Sequence, residues 1–178
     1  MATARHLFAS QGFHQTPMSE LATVADVSVG QIYRFFTGKN ELIRAIIRED
    51  AAVRIASMEL IAADLKKGQI SLETALKRLC LQALTTGDEA LSFDILAEAH
   101  RDASVAGTIA EVCVAGRAMI GDLVLAANSA ATQSELEAAE EMILALMFGL
   151  GHRTLSRPRL TNEEVASSTA ALIYAALR

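Results

Sequence analysis

The chain has 178 residues, of which 52% are hydrophobic, 21% charged and only 4% aromatic, with no Trp. That balance supplies a sizeable core and excludes a disordered chain, while a net charge of −5 excludes a wholly basic nucleic-acid protein. The 33 Ala and 22 Leu lose little side-chain entropy in a helix, so the composition points to an all-α fold and away from β-sandwiches and barrels.

Taken in chain order, Ala2–Gln11 reads as a first helix, closed by Gly12 at a left-handed cap position. Thr16 is the expected N-cap of a short second helix, with Pro17 at its first position and Met18, Leu21, Ala22 and Ala25 inside it. Asp26 breaks that helix, Ser28 caps another carrying Ile32, Phe35 and Phe36, and Thr37-Gly38 ends it. A long helix then opens near Lys39, with Leu42, Ile46, Val53, Ile55 and Leu60 on one face. Beyond Gly68 the pattern is long amphipathic helices. They are expected from a Ser71 cap to about Thr86, from Gly87-Asp88 to about Arg101, and from about Ala103 to Ala127. Another follows from a Ser134 cap to about Thr154, and a last one from an Asn162 cap to Leu177. About nine helices and no strand are expected.

Charge is unevenly spread. Residues 1–48 hold five basic and three acidic groups, a net of +2, and the remainder nets −7. A slightly basic head on an acidic body is compatible with a DNA-facing domain over 1–48 and a regulatory domain over 49–178, and ordinary scatter of surface charge fits at least as well. The longest uncharged stretches are too short to cross a membrane and the start lacks a signal-peptide core, so a cytoplasmic location is expected. Cys80 and Cys113 are expected to be reduced, as small core residues.

The informative stretch is Gly12–Leu42. Two short helices joined by Asp26-Val27-Ser28 have the shape of a helix-turn-helix. Ala22 is small where the helices would cross, and Asp26 tolerates the positive φ such a turn needs. Val27, Ile32 and Phe36 would face inward, leaving Val29, Gln31 and Arg34 to project. In a major groove Gln can pair with adenine and Arg with guanine. On spacing alone a helical hairpin without a ligand fits as well.

These residues resemble the DNA-binding domain of the TetR-type bacterial transcriptional regulators. The resemblance rests on Gly12-Phe13, Thr16, the run Ser28-Val29-Gly30-Gln31-Ile32-Tyr33-Arg34-Phe35-Phe36, and then Lys39 and Leu42. It covers about 35 residues; beyond them only helix number and length match the family. The resemblance implies phosphate contacts from Thr16, Tyr33 and Lys39, and a recognition helix on which Ser28, Val29, Gln31 and Arg34 meet DNA. Departures are Asp26 in place of a common turn glycine, Gln31 where Thr or Ser is usual, and a first helix that in the family starts about two turns earlier. The expectation drawn from the last point is that the start is truncated or that residues before it are missing.

In the later helices, Leu136, Ala139, Ile143, Leu146 and Leu150 form a regular apolar stripe, and Ala138, Met142, Ala145 and Gly149 a second. With Ala166, Ala170, Ile173 and Leu177 of the last helix, the first stripe is the expected face of a homodimer, one face of each helix meeting its own domain and the other a partner. An apolar cavity in the middle helices is expected to take an unidentified small-molecule effector, with Phe93, Leu96, His100, Cys113, Arg117 and Phe148 as candidate lining residues. The four His lack metal-ligand spacing and no nucleophile has an evident base, so neither a metal, a cofactor nor enzyme activity is expected. The reading is a ligand-responsive transcriptional regulator, a repressor released from double-stranded operator DNA by a small molecule.

Overall fold

The computed structural model describes residues 1–85 and 87–177; Thr86, the expected end of one helix, lies outside the described residues, as does Arg178. Among them there are nine α-helices and no strand. They are α1 (Ala2–Gln11), α2 (Met18–Val24), α3 (Val29–Tyr33), α4 (Lys39–Lys66), α5 (Leu72–Thr85), α6 (Glu89–Ala99), α7 (Ala103–Ala127), α8 (Gln133–Gly151) and α9 (Asn162–Ala176). A 3-10 turn, Arg153–Ser156, follows α8. No described helix is long and apolar enough to cross a membrane.

The helix N-caps differ from expectation in three places, and α3 ends at Tyr33 rather than at Thr37-Gly38, leaving Phe35 and Phe36 beyond it. Thr16 is not the cap of α2; Pro17 holds that position without a side-chain cap. The cap of α8 is Thr132 rather than Ser134, and that of α9 is Thr161 rather than Asn162. Both form capping boxes, with Glu135 and Glu164, and in each the Thr N–H and hydroxyl donate to the Glu carboxylate. Two orphan donors are satisfied reciprocally; Asn162 has Val165 three residues on, and Glu137, three residues after Ser134, accepts from Gln133 instead.

The helices pack as two units, one of Met1–Ala52 with Gly87–Val112, the other of Val53–Thr86 with Cys113–Arg178. In the first, Leu7, Phe8, Phe13, Leu21, Ile43 and Ile46 form the core with Leu91 and Val105. Phe8 and Phe13 meet edge to face, centroids 5.3 Å apart. One face of α4 is clipped to the start of α7 at every fourth residue: Asn40 to Asp102 at 2.6 Å, Arg44 to Thr108 at 3.0 Å, Arg48 to Glu111 at 3.4 Å. Arg5 pairs with Glu49 and Asp50 at 2.6 and 2.8 Å, tying α1 to α4.

In the second unit, α9 lies along α5, and Leu76, Cys80, Ile120, Ile143, Ala170 and Ile173 are part of one buried cluster. Burial pushes the Cys80 thiol up to about 11, so it stays protonated and packs as an apolar group. Cys113 is half-buried and also unpaired with any other cysteine.

The expected dimer face is corrected by this packing. Ala139, Ile143, Ala166, Ala170, Ile173 and Leu177 are buried in the protomer's own core, and Leu136, Leu146 and Leu150 are half-buried against it. The physical reason is bulk: the stripe with large side chains fills the interior, while Ala138, Met142, Ala145 and Gly149 stay exposed. Phe148 and, on α9, Leu172 are also exposed, Leu172 at 70%.

Candidate nucleic-acid interface

Local chemistry builds the helix-turn-helix residue by residue. Glu20 lies in the first turn of α2, where a carboxylate suits the positive end of the helix dipole. Ala22 is 2% exposed, and its carbonyl accepts the Val27 N–H at 3.0 Å, closing the turn. Asp26 has φ 54°, the left-handed conformation read from its position. Val27 itself is 40% exposed rather than buried. Ser28 caps α3 as expected and does so in a capping box: its Oγ accepts the Gln31 N–H at 3.2 Å, and its own N–H donates to Gln31 Oε1 at 2.7 Å.

Ile32 and Phe36 are half-buried against the core, while Ser28, Val29, Gln31, Tyr33 and Arg34 are exposed on α3 and its ends. No hydrogen bond or ion pair among the described residues engages the Arg34 guanidinium or the Tyr33 hydroxyl. Phe35, beside them, is 74% exposed. Phe35 was expected inside the helix with Ile32 and Phe36, but α3 ends at Tyr33, and of the two residues that follow Arg34 only Phe36 packs against the core.

Two residues assigned phosphate contacts are placed differently. Thr16 is fully buried, and its hydroxyl donates to Gly12 O at 2.9 Å. A side chain without access to solvent cannot meet a phosphate; Thr16 shapes the turn between α1 and α2 instead. Lys39 is half-buried, with Nζ donating to Phe13 O at 2.9 Å and His14 O at 3.2 Å, and standing 5.0 Å above the Phe13 ring. Two of its three donors are thus committed to the same turn.

That turn is held from the other side by α6. Asp94 Oδ2 accepts the Phe13 N–H at 2.8 Å, and His14 Nε2 lies 3.1 Å from the buried Glu98 carboxylate. At the start of α7, Asp102 accepts from Ser104 and Val105, and also from Asn40 at 2.6 Å. These bonds, that to the Ser104 side chain first, hold its carboxyl down at about 2.

The candidate effector residues fall in both units. Phe93, Leu96 and His100 belong to the first unit, and Cys113, Arg117 and Phe148 to the second. Arg117 is ion-paired to Glu141, and Phe148, 54% exposed, stacks on His152 with centroids 4.5 Å apart. A groove of about 410 Å³ in the first unit is lined by residues including Ala4, Leu21, Val27, Ile32 and Phe35. One of about 570 Å³ in the second runs between α4 and α5, beside Leu60, Asp64, Arg78 and Gln82. None of the six candidates lines either groove.

The described residues are all-α, with a capped helix-turn-helix over α2 and α3. Residues 1–46 match the family model for "Bacterial regulatory proteins, tetR family". The HTH-type transcriptional regulator UidR of Escherichia coli K12 is 28% identical over 106 residues, covering 60% of this chain and 53% of UidR. The chain thus matches about half the length of that curated relative. GusR of Salmonella enterica shares the fold, with a TM-score of 0.72 and 24% identity over 99% of this chain and 90% of that one. So does the transcriptional regulator FadR of Bacillus subtilis in complex with stearoyl-CoA: TM-score 0.76 and 17% identity, covering 99% of this chain and 97% of that one.

Proposed function

We propose that this chain is a ligand-responsive DNA-binding transcriptional regulator of the cytoplasm, a homodimeric repressor that leaves its operator when a small molecule binds. The observation that carries the reading is α3. A five-residue helix is fixed by a capping box, with Gln31, Tyr33 and Arg34 exposed and an unpaired guanidinium among them, inside a segment that matches the tetR family model. A surface cation held at a rigid helix end, with no intramolecular partner, suits a groove lined by base edges and phosphates. In this reading Ser28, Val29, Gln31, Tyr33 and Arg34 meet DNA directly, and Thr16 and Lys39 hold the turn that presents them. Lys39 retains one donor for a phosphate.

The domain division is proposed to follow function: residues 1–48 as DNA head and 49–178 as regulatory body, with α4 passing from one to the other as a single helix. The dimer is proposed through the exposed stripe of α8 (Ala138, Met142, Ala145, Gly149) with Leu172 of α9. Small residues allow close helix approach, and these apolar groups are otherwise left in water. The proposed effector is apolar or amphipathic. The complex of the similarly folded FadR with stearoyl-CoA favours that class, as does the apolar content of α7, whose Ile120, Leu123 and Val124 are buried. The effector must prefer a state in which the heads are misplaced, since equal affinity for both states shifts nothing. A mobility-shift titration on the DNA upstream of this chain's own gene tests the reading. Specific retardation is expected, and binding no stronger than to scrambled DNA contradicts it.

A further inference from the structure

We propose that Phe35 is a further base-reading residue, whose ring covers the C5 methyl group of a thymine in the major groove. The inference rests on the DNA-binding reading above and adds a contact to it. Backbone bonds carry the helical turn past the end of α3, from the Arg34 N–H to Gly30 O at 3.2 Å and from the Phe35 N–H to Ile32 O at 3.0 Å. Gln31, Arg34 and Phe35 therefore stand at i, i+3 and i+4 on one face. With Val27 they line the groove of about 410 Å³ in the first unit. Phe35 is presented together with the two residues that project for base contacts.

The surroundings of that face are apolar. Phe35 is 74% exposed, and Val24, Val27, Val29 and Tyr33 are exposed in the same segment. One apolar side chain in water is ordinary on a soluble protein, but five between Val24 and Phe35 are concentrated where DNA is read in this account. A phenyl ring offers a phosphate no donor and an amino group no acceptor, so it gains on binding only by covering carbon. Deoxyribose carbons are the same at every nucleotide, and contact with them carries no sequence preference. Among the base edges of the major groove the apolar group is the thymine methyl, which suits an aromatic ring. Val29 and Tyr33 each lie two residues from Gln31, a spacing that does not share its face, which assigns the methyl to Phe35.

The test is an anisotropy titration of the full chain and of Phe35→Ala against duplex DNA from upstream of its own gene. Each thymine is replaced in turn by deoxyuridine, which lacks only the methyl group. Because Phe35 is exposed, the variant keeps the protomer's core intact. The wild type is expected to lose affinity about fourfold at one thymine of each half-site, the worth of one buried CH2-sized group. Phe35→Ala is expected to bind the thymine and uracil duplexes alike at that position. A wild type indifferent to every replacement overturns the inference and leaves DNA binding standing. So does a Phe35→Ala protein that stays sensitive at the same thymine. A wild type that binds the unsubstituted duplex no more tightly than a scrambled one overturns the DNA-binding reading itself.

Discussion

Ile173 and Leu172 are neighbours on α9 with opposite fates, and substituting each separates the protomer's core from its proposed dimer face. Ile173 is 1% exposed within the cluster of Leu76, Cys80, Ile143 and Ala170. Ile173→Ala deletes buried carbon from a packed site, at a cost of about 2–5 kcal/mol once the cavity is included. Against a total stability of roughly 5–15 kcal/mol, that is a large fraction. Leu172 is 70% exposed, so Leu172→Ala changes protomer packing little. Covering that side chain in a partner returns about 1–2 kcal/mol, counted twice in a symmetric dimer. Chemical denaturation at fixed protein concentration, paired with light scattering over a dilution series, distinguishes the two. Ile173→Ala should unfold at lower denaturant. Leu172→Glu should keep its helix content and dissociate to monomer. A Leu172→Glu protein that stays dimeric, or an Ile173→Ala protein of undiminished stability, refutes the assignment of the two faces.

Three further outcomes follow from named contacts. Lys39→Ala should cost about 1–2 kcal/mol of stability, because two charge-assisted bonds to Phe13 O and His14 O are lost, and should weaken binding to all DNA sequences alike; thermal melts and salt titrations measure both. Asp26→Gly should leave stability unchanged or raise it by about 0.5–1 kcal/mol, since glycine accepts φ 54° without strain, whereas Asp26→Val should lower the melting temperature. Asp102 has a carboxyl held below its unfolded value of about 3.9, so its contribution is full above that pH and is lost as pH falls towards about 2. Asp102→Asn should therefore flatten the acid limb of a stability-against-pH curve; an unchanged limb contradicts the assigned bonds.

The helix-turn-helix was legible because its signals are local. Ser28 as cap, Asp26 at positive φ and the inward Ile32 and Phe36 each follow from one residue and its neighbours. The caps of α8 and α9 were misplaced although Thr132-x-x-Glu135 and Thr161-x-x-Glu164 are capping-box spacings. At α8 the spacing alone does not choose, because Ser134-x-x-Glu137 offers a second box two residues on; at α9 Asn162 lies nearer the apolar run but has no Glu or Gln three residues after it. The dimer face was not legible from periodicity, because α8 carries two apolar stripes and a period cannot say which one meets the protomer. Side-chain volume decides it, with Ile143 inside and Ala145 outside. Thr16 and Lys39 were misread for a different reason. Their partners are backbone carbonyls at Gly12, Phe13 and His14, and no sequence pattern marks a carbonyl as an acceptor.

The most direct test of the account is an anisotropy titration of the full chain and of Arg34→Ala against labelled DNA from upstream of its own gene and against a scrambled duplex, at several salt concentrations. The account predicts that the wild type prefers the upstream DNA, with affinity falling steeply as salt rises, and that Arg34→Ala loses roughly 1–3 kcal/mol of that preference while still binding both duplexes. Equal affinity of the wild type for the two duplexes, or an Arg34→Ala protein with its preference intact, would contradict the claim that α3 is the reading helix of a DNA-binding regulator.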